Sequence, residues 1–259
     1  MEFRHILLDV APNNVATITL NRPDSLNALS AAMLEELGAA VESLPGSGAR
    51  CLLLTGAGRG FSSGADLAGS GGLPDDVGAA LEAHYNPLVE ALFALPMPVV
   101  AAVNGAAAGA GASLALCADI VVAARSAYFL QAFVNIGLIP DAGATWLLPR
   151  LAGRARAMEM MLLGERISAE QALDWGMIAR VVDDQDLPSE TAALAARLAA
   201  GPTVAYGLIR RLARDSARLP LTEALAAERV AQRDAGRTED FKAAVLAFLQ
   251  KRQPRFDGR

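Results

Sequence analysis

The sequence predicts an α/β protein with mostly parallel strands, and three observations predict it. Residues 51–55 (CLLLT) and Val99–Val103 (VVAAV) are short unbroken apolar runs, the pattern of strands covered on both faces. Stretches with apolar residues at helical spacing lie between such runs, so strand, loop and helix alternate. Glycine and alanine crowd the connections, above all in 99–124, VVAAVNGAAAGAGASLALCADIVVAA. With no large side chains for ten residues, that segment presents its backbone. Amides at the start of a helix there would face negative charge.

The elements follow in order. Runs 5–9 and 15–21, split by the turn cluster APNN, predict an opening hairpin. Ser30 caps a helix to about residue 44, with Met33, Leu34, Leu37 and Val41 on one face. Strand 51–55 is followed by GAGRGFSSGADL, then a polar, glycine-rich loop at 69–76. Asp75 or Asp76 caps a long helix over 77–95, bracketed by Pro96 and Pro98. After Val99–Val103 come a small-residue helix at 109–117, the strand Ile120–Ala124 and a short strand at Tyr128–Leu130. A turn at 137–143 leads to a helix from about Ala144, a second helix covers 154–163, and Ser168-x-x-Gln171 is a capping box. From about Ser189 strand signals vanish and four helices follow. In the last, Phe241, Val245, Phe248 and Leu249 form one apolar stripe that must pack on its own core or on a neighbouring subunit.

Composition narrows the function. The 259 residues make one large domain, or one with an appendage, and 53% hydrophobic residues supply a core. A net charge of −5 argues against nucleic acid or an anionic membrane as partner. Asn104, Asp119 and several glycines argue against a membrane span at 99–124. The start, MEFRHILLDV, lacks a secretory apolar core, so a cytoplasmic location is expected. Cys51 and Cys117 sit in apolar runs without C-x-x-C spacing and read as inert buried thiols.

Single motifs are weak. Gly60-Phe61-Ser62-Ser63-Gly64 matches the G-x-S-x-G elbow of serine hydrolases, but His5 precedes the serine and His84 sits on the long helix. Gly109-x-Gly111 lacks the third glycine of a dinucleotide fingerprint, and no P-loop or metal-ligand spacing occurs. Arg210, Arg211, Arg214 and Arg218 read as a solvated basic face or a phosphate contact. Asp141, in IPDAGATW, is either a helix cap or an acid in an apolar pocket, where desolvation raises its pKa and suits it to move protons.

Four segments together resemble the crotonase, or enoyl-CoA hydratase/isomerase, superfamily: NRPDSLNALS (21–30), FSSGADL (61–67), NGAAAGAGASLALCADI (104–120) and GLIPDAGATWLLPRLAGRARAMEMMLLGE (137–165). The likeness runs from about residue 3 to the C-terminus. Within the family, IPDAGATWLLPR followed by AEQALDWGMIARVVDD is similar to the ring-1,2-epoxyphenylacetyl-CoA isomerases of bacterial phenylacetate degradation. The resemblance implies a spiral of ββα turns binding acyl-CoA over 1–188, and a helical region over 189–259 that builds homotrimers, often paired into hexamers. It implies that the Ala65 and Ala110 amides, the latter in Gly109-Ala110-Gly111, hold a thioester enolate oxygen. Leu26, Ala28, Ser63, Asp66 and Leu67 match positions lining the coenzyme A cleft, and Phe133 fits the acyl pocket. Coenzyme A enters as part of the substrate, so no separate cofactor is expected.

The departures from the family decide the expected reaction. Hydratases carry two glutamates where this chain has Ser113 and Phe133, neither a general base at neutral pH. A single acid, Asp141, remains, as in the epoxyphenylacetyl-CoA isomerases. Aryl-CoA dehalogenases place an aspartate similarly but add a histidine base, for which this chain offers only His84. The expectation is an acyl-CoA isomerase. Its rivals are a hydratase of the same family, a hydrolase using Ser62, and a CoA-binding relative without activity.

Overall fold

The computed structural model describes residues 3–67 and 76–259. The loop expected at 69–76 lies, but for Asp76, outside the described residues. β1 (Ile6–Val10) and β2 (Val15–Leu20) form the expected hairpin, with Ile6 opposite Leu20. β3 (Cys51–Gly56) continues this sheet in parallel, and β4 (Gly60–Ser62) leaves it for a second sheet. β5 (Val99–Val103) returns to the first and β6 (Ala106–Ala108) joins β4. β7 (Ile120–Ala124) and β8 (Tyr128–Leu130) repeat the alternation. β9 (Arg166–Ser168) closes the four-stranded sheet antiparallel to β8, and β10 (Arg180–Val182) closes the six-stranded one parallel to β7. Each turn thus places one strand in each sheet, the spiral of ββα turns that the resemblance implies.

The mostly parallel first sheet matches expectation; of the second sheet only β8, expected at Tyr128–Leu130, shows in the sequence. β4, β6, β9 and β10 have three residues each. Too short to show a period, β4 and β6 also contain only small residues and Phe61, so they read as glycine-rich loop.

α1 (Ala31–Ser43) starts where Ser30 Oγ accepts from the Met33 amide at 3.3 Å, and it buries Met33, Leu34, Leu37 and Val41. The helix expected over 77–95 forms with its register broken. α2 (Gly78–Ala80), opened by Asp76 Oδ1 accepting from the Gly78 amide, runs into a π turn at Leu81–Tyr85 and then α3 (Asn86–Ala94). Pro87 supplies the reason. It has no N–H for the residue four back, and its ring would strike that carbonyl in a plain α-helix. The Asn86 amide instead reaches five residues back to Leu81 O, which relieves the turn.

α4 (Ala110–Leu116) is buried at every residue, so its small side chains let it thread between the sheets. α5 (Ala144–Leu151) and α6 (Gly153–Leu163) follow, then α7 (Ala169–Asp174), where Ser168 Oγ accepts from the Gln171 amide as the capping box requires. α8 (Leu187–Ala199) buries Leu187, Leu194, Ala195 and Ala199 against the six-stranded sheet. α9 (Thr203–Asp215), α10 (Leu221–Ala235) and α11 (Glu239–Leu249) complete the chain. In α11 Phe241, Val245, Phe248 and Leu249 stay exposed, Phe248 at 81%, so the stripe does not pack on this chain's core. No single helix among the described residues is long and apolar enough to cross a membrane.

The expected basic face on α9 needs correction. Arg210 is 6% exposed and pairs with Asp119 at 2.5 Å. It also donates to Leu92 O and Leu95 O, and Arg214 donates to Phe93 O, so the two arginines occupy the orphan carbonyls at the end of α3. Arg218 stacks on Trp146 with its guanidinium carbon 5.4 Å from the ring centre. Cys51 and Cys117 are buried and unpaired, and burial pushes both thiols up to about 12, as expected of inert cysteines.

Candidate active site

One half of the site is main chain. β4 ends at Ser62, and Gly64 follows with φ +91°. Leu29 holds the segment as a parallel partner: its amide donates to Gly64 O at 2.8 Å, and its carbonyl accepts from Asp66 N at 3.1 Å. In such a bridge the residue between, Ala65, turns its own amide away from Leu29. A Cβ on Gly64 would lie 2.7 Å from Ala108 O and 3.5 Å from the Ala110 nitrogen. This crowding brings the Ala65 and Ala110 stretches together. Gly111 does the same from the other side, since a Cβ there would lie 2.6 Å from the Ser62 side chain. Ala110 is the first residue of α4, so its amide has no acceptor within the helix. Substituting alanine for glycine at Ala110 leaves that donor in place.

The rim beside these amides is pinned by residues that motif reading passed over. Leu26 and Asn27 both hold positive φ, at 52° and 56°. Asn27 is fully buried; its Oδ1 accepts from the Arg22 amide, and its Nδ2 donates to Ala57 O and Gly60 O, all at 2.9 Å. Arg22 pairs with Asp66 at 2.8 Å and donates to Ala28 O at 2.6 Å. Ser63 Oγ donates to Ser25 O. Leu26, Ala28, Ser63 and Asp66 thus belong to one connected rim, with the Leu67 side chain 64% exposed beyond it. The signal for Arg22 and Asn27 was present in NRPDSLNALS, as polar residues inside a turn.

The other half is a side chain. Asp141 precedes two left-handed residues, Ala142 at φ +48° and Gly143 at φ +85°. An alanine in that conformation is strained by about 1–2 kcal/mol, a cost seen where a fold holds a residue for use. Gly143 occupies the cap position of α5 and no side chain caps it, so the helix-cap alternative for Asp141 falls away. Among the described residues Asp141 Oδ1 is buried without a hydrogen-bond partner, and desolvation pushes the carboxyl up to about 6. Tyr85, 7% exposed, lies where the charges of both Asp141 and Asp66 act on it; burial first, then those charges, raise its pKa. It escaped sequence reading, because a lone tyrosine in an apolar helix carries no motif.

Ser113 and Phe133 both lie by Gly109, next to Ala110. Ser113 is wholly buried, with its hydroxyl on Gly109 O at 3.3 Å. Phe133 is buried, its ring edge 3.7 Å from where a Cβ on Gly109 would stand, so an apolar ring lies beside the backbone donors.

The hydrolase rival finds no triad. Ser62 is wholly buried and donates to Asn27 O at 2.9 Å. His5 faces Glu36 at 3.2 Å, and His84 lies 3.9 Å from Glu35, towards α1. Among the described residues no group of His, Cys, Asp and Glu is arranged to hold a metal.

The spiral, two backbone stretches pressed together at Gly64 and Ala110, and one desolvated acid define a class, the crotonase-fold enzymes. A sequence model of that class, enoyl-CoA hydratase/isomerase, matches residues 10–259. The chain belongs to this family. Two full-length relatives are a 1,2-epoxyphenylacetyl-CoA isomerase of Escherichia coli, 50% identical, and a protein of Rhodobacter capsulatus described as a probable enoyl-CoA hydratase, 47% identical; the alignments cover all of both chains. The crystal structure of an enoyl-CoA hydratase from Bacillus anthracis superposes with a TM-score of 0.94 at 34% identity, over 99% of this chain and 100% of that one.

Proposed function

We propose that this enzyme isomerises acyl-CoA thioesters by moving one proton through an enolate. The acyl groups it serves are ring-1,2-epoxyphenylacetyl, 3-enoyl, or both. The observation that carries this is Asp141, a carboxyl raised to about 6 with an unpartnered buried oxygen, in a site whose other two candidate positions hold Ser113 and Phe133. At neutral pH Asp141 is a carboxylate and removes the proton α to the thioester. The enolate oxygen accepts hydrogen bonds from the Ala65 and Ala110 amides; donors of this kind are worth about 3–4 kcal/mol each. Asp141 then returns the proton further along the conjugated system, and the double bond of a 3-enoyl thioester moves to C2. With the epoxide, the ring bond beneath the oxygen opens to the seven-membered oxepin. No water is added, so one carboxylate suffices.

Leu26, Ala28, Ser63, Asp66 and Leu67 receive the coenzyme A portion, Gly109 and Phe133 the acyl portion, and no further cofactor is called for. The 189–259 region covers the exposed stripe of α11 by self-association into a trimer or hexamer. Burying a side chain such as Phe248 contributes about 1.5–3 kcal/mol. The test is turnover of both thioesters alongside crotonyl-CoA. Isomerisation with crotonyl-CoA hydration at least about a thousandfold slower is expected. Hydration at a comparable rate would refute the argument from Ser113 and Phe133.

A further inference from the structure

Tyr85 plays no part in the proton shift, yet the fold breaks a helix register at its position. It closes the π turn Leu81–Tyr85. Such turns concentrate at functional sites, since they redirect a side chain without ending the helix. Tyr85 shares a helix face with Leu88 and Val89. Val89, one turn on, packs against the turn that carries Asp141, its Cγ1 3.7 Å from where a Cβ on Gly143 would stand. The phenol is therefore placed near that turn, within reach of the charges of both Asp141 and Asp66.

The neighbouring polar side chains leave Tyr85 with a distinct capacity. The Ser113 hydroxyl is directed to Gly109 O, and an ionised Asp141 only accepts. Phe133 offers an apolar ring. A plain enoyl chain has no use for a buried donor, whereas an acyl group bearing an oxygen loses its water on entry and needs one. We propose that the Tyr85 hydroxyl donates a hydrogen bond to an oxygen carried on the acyl group, and so selects oxygen-bearing acyl thioesters over plain enoyl ones. This rests on the acyl-CoA isomerase reading above.

Tyr85→Phe removes the hydroxyl and keeps the ring. The readout is the ratio of kcat/KM for the epoxide thioester to that for a 3-enoyl-CoA. A fall of about tenfold or more in that ratio is expected. An unchanged ratio, whether both rates drop together or neither does, overturns the proposal, because a merely structural tyrosine affects both substrates alike. Binding keeps the test independent of turnover. Calorimetry with 2-hydroxyphenylacetyl-CoA and phenylacetyl-CoA should show a preference for the former in the wild type that Tyr85→Phe abolishes. No preference, or one that survives the substitution, overturns the proposal even if neither substrate is isomerised; loss of turnover alone counts against the isomerase reading instead.

Discussion

The two halves of the site are built from different materials. The proposed oxyanion half is main chain, from Ala65 and Ala110, and its geometry is fixed by what is missing: a Cβ on Gly64 or Gly111 would strike backbone or Ser62 at 2.7 Å or less. The acid half is one carboxyl, fixed by what surrounds it: a strained Ala142, a glycine at the helix cap and apolar cover. The backbone half should tolerate changes of side chain at the donor residues and fail when a neighbour gains an atom. The acid half fails when its own functional group changes. A family built this way can keep its electrostatics and alter its chemistry by moving acids.

That contrast can be broken at several points. Asp141→Asn should lower isomerisation by roughly 10²–10⁴-fold. Deuterium exchange at the α carbon, followed by NMR, should fall equally while thioester binding persists; undiminished exchange would place the base elsewhere. Gly64→Ala should lower kcat by about 10²-fold by displacing the Ala65 donor, while Ala110→Gly, which keeps its amide, should change it by less than about tenfold. Steady-state kinetics on the pair tests whether the hole is main chain.

The pH dependence sharpens the acid half. As a base Asp141 works when ionised, so kcat/KM should rise about tenfold per unit below a pKa of about 6 and level off above it. Stability runs the opposite way. The folded value exceeds the ordinary 3.8, so the native state holds the extra proton between about pH 4 and 6 and loses stability as pH rises through that window. In urea melts Asp141→Asn should be more stable than wild type by about 1–2 kcal/mol at pH 8, and equal to it near pH 3. The smallest effect is His84→Ala, expected to leave kcat within about twofold, since the ring faces Glu35; a large loss would restore a histidine base of the dehalogenase kind.

Legibility followed the size of the signal. α1 announced itself through Ser30 and four apolar residues at helical spacing, and β3, β5 and β7 through unbroken apolar runs. Asp141 stood out as an acid among apolar neighbours, although the sequence left its role as a cap open until Gly143 proved to hold that position. β4 and β6 were hidden because their three residues earn strand status from partners far along the chain. The π turn was hidden because its cause, Pro87, acts on a carbonyl four residues back. Arg210 looked like surface because charge density along one helix says nothing of Asp119, 91 residues away.

That buried arginine has a mechanical consequence. One guanidinium grips the last carbonyls of α3 and, through Asp119, the start of the strand that follows α4. The C-terminal end of the helix is thus clamped to the sheet through Leu92 and Leu95, while its body packs on α1.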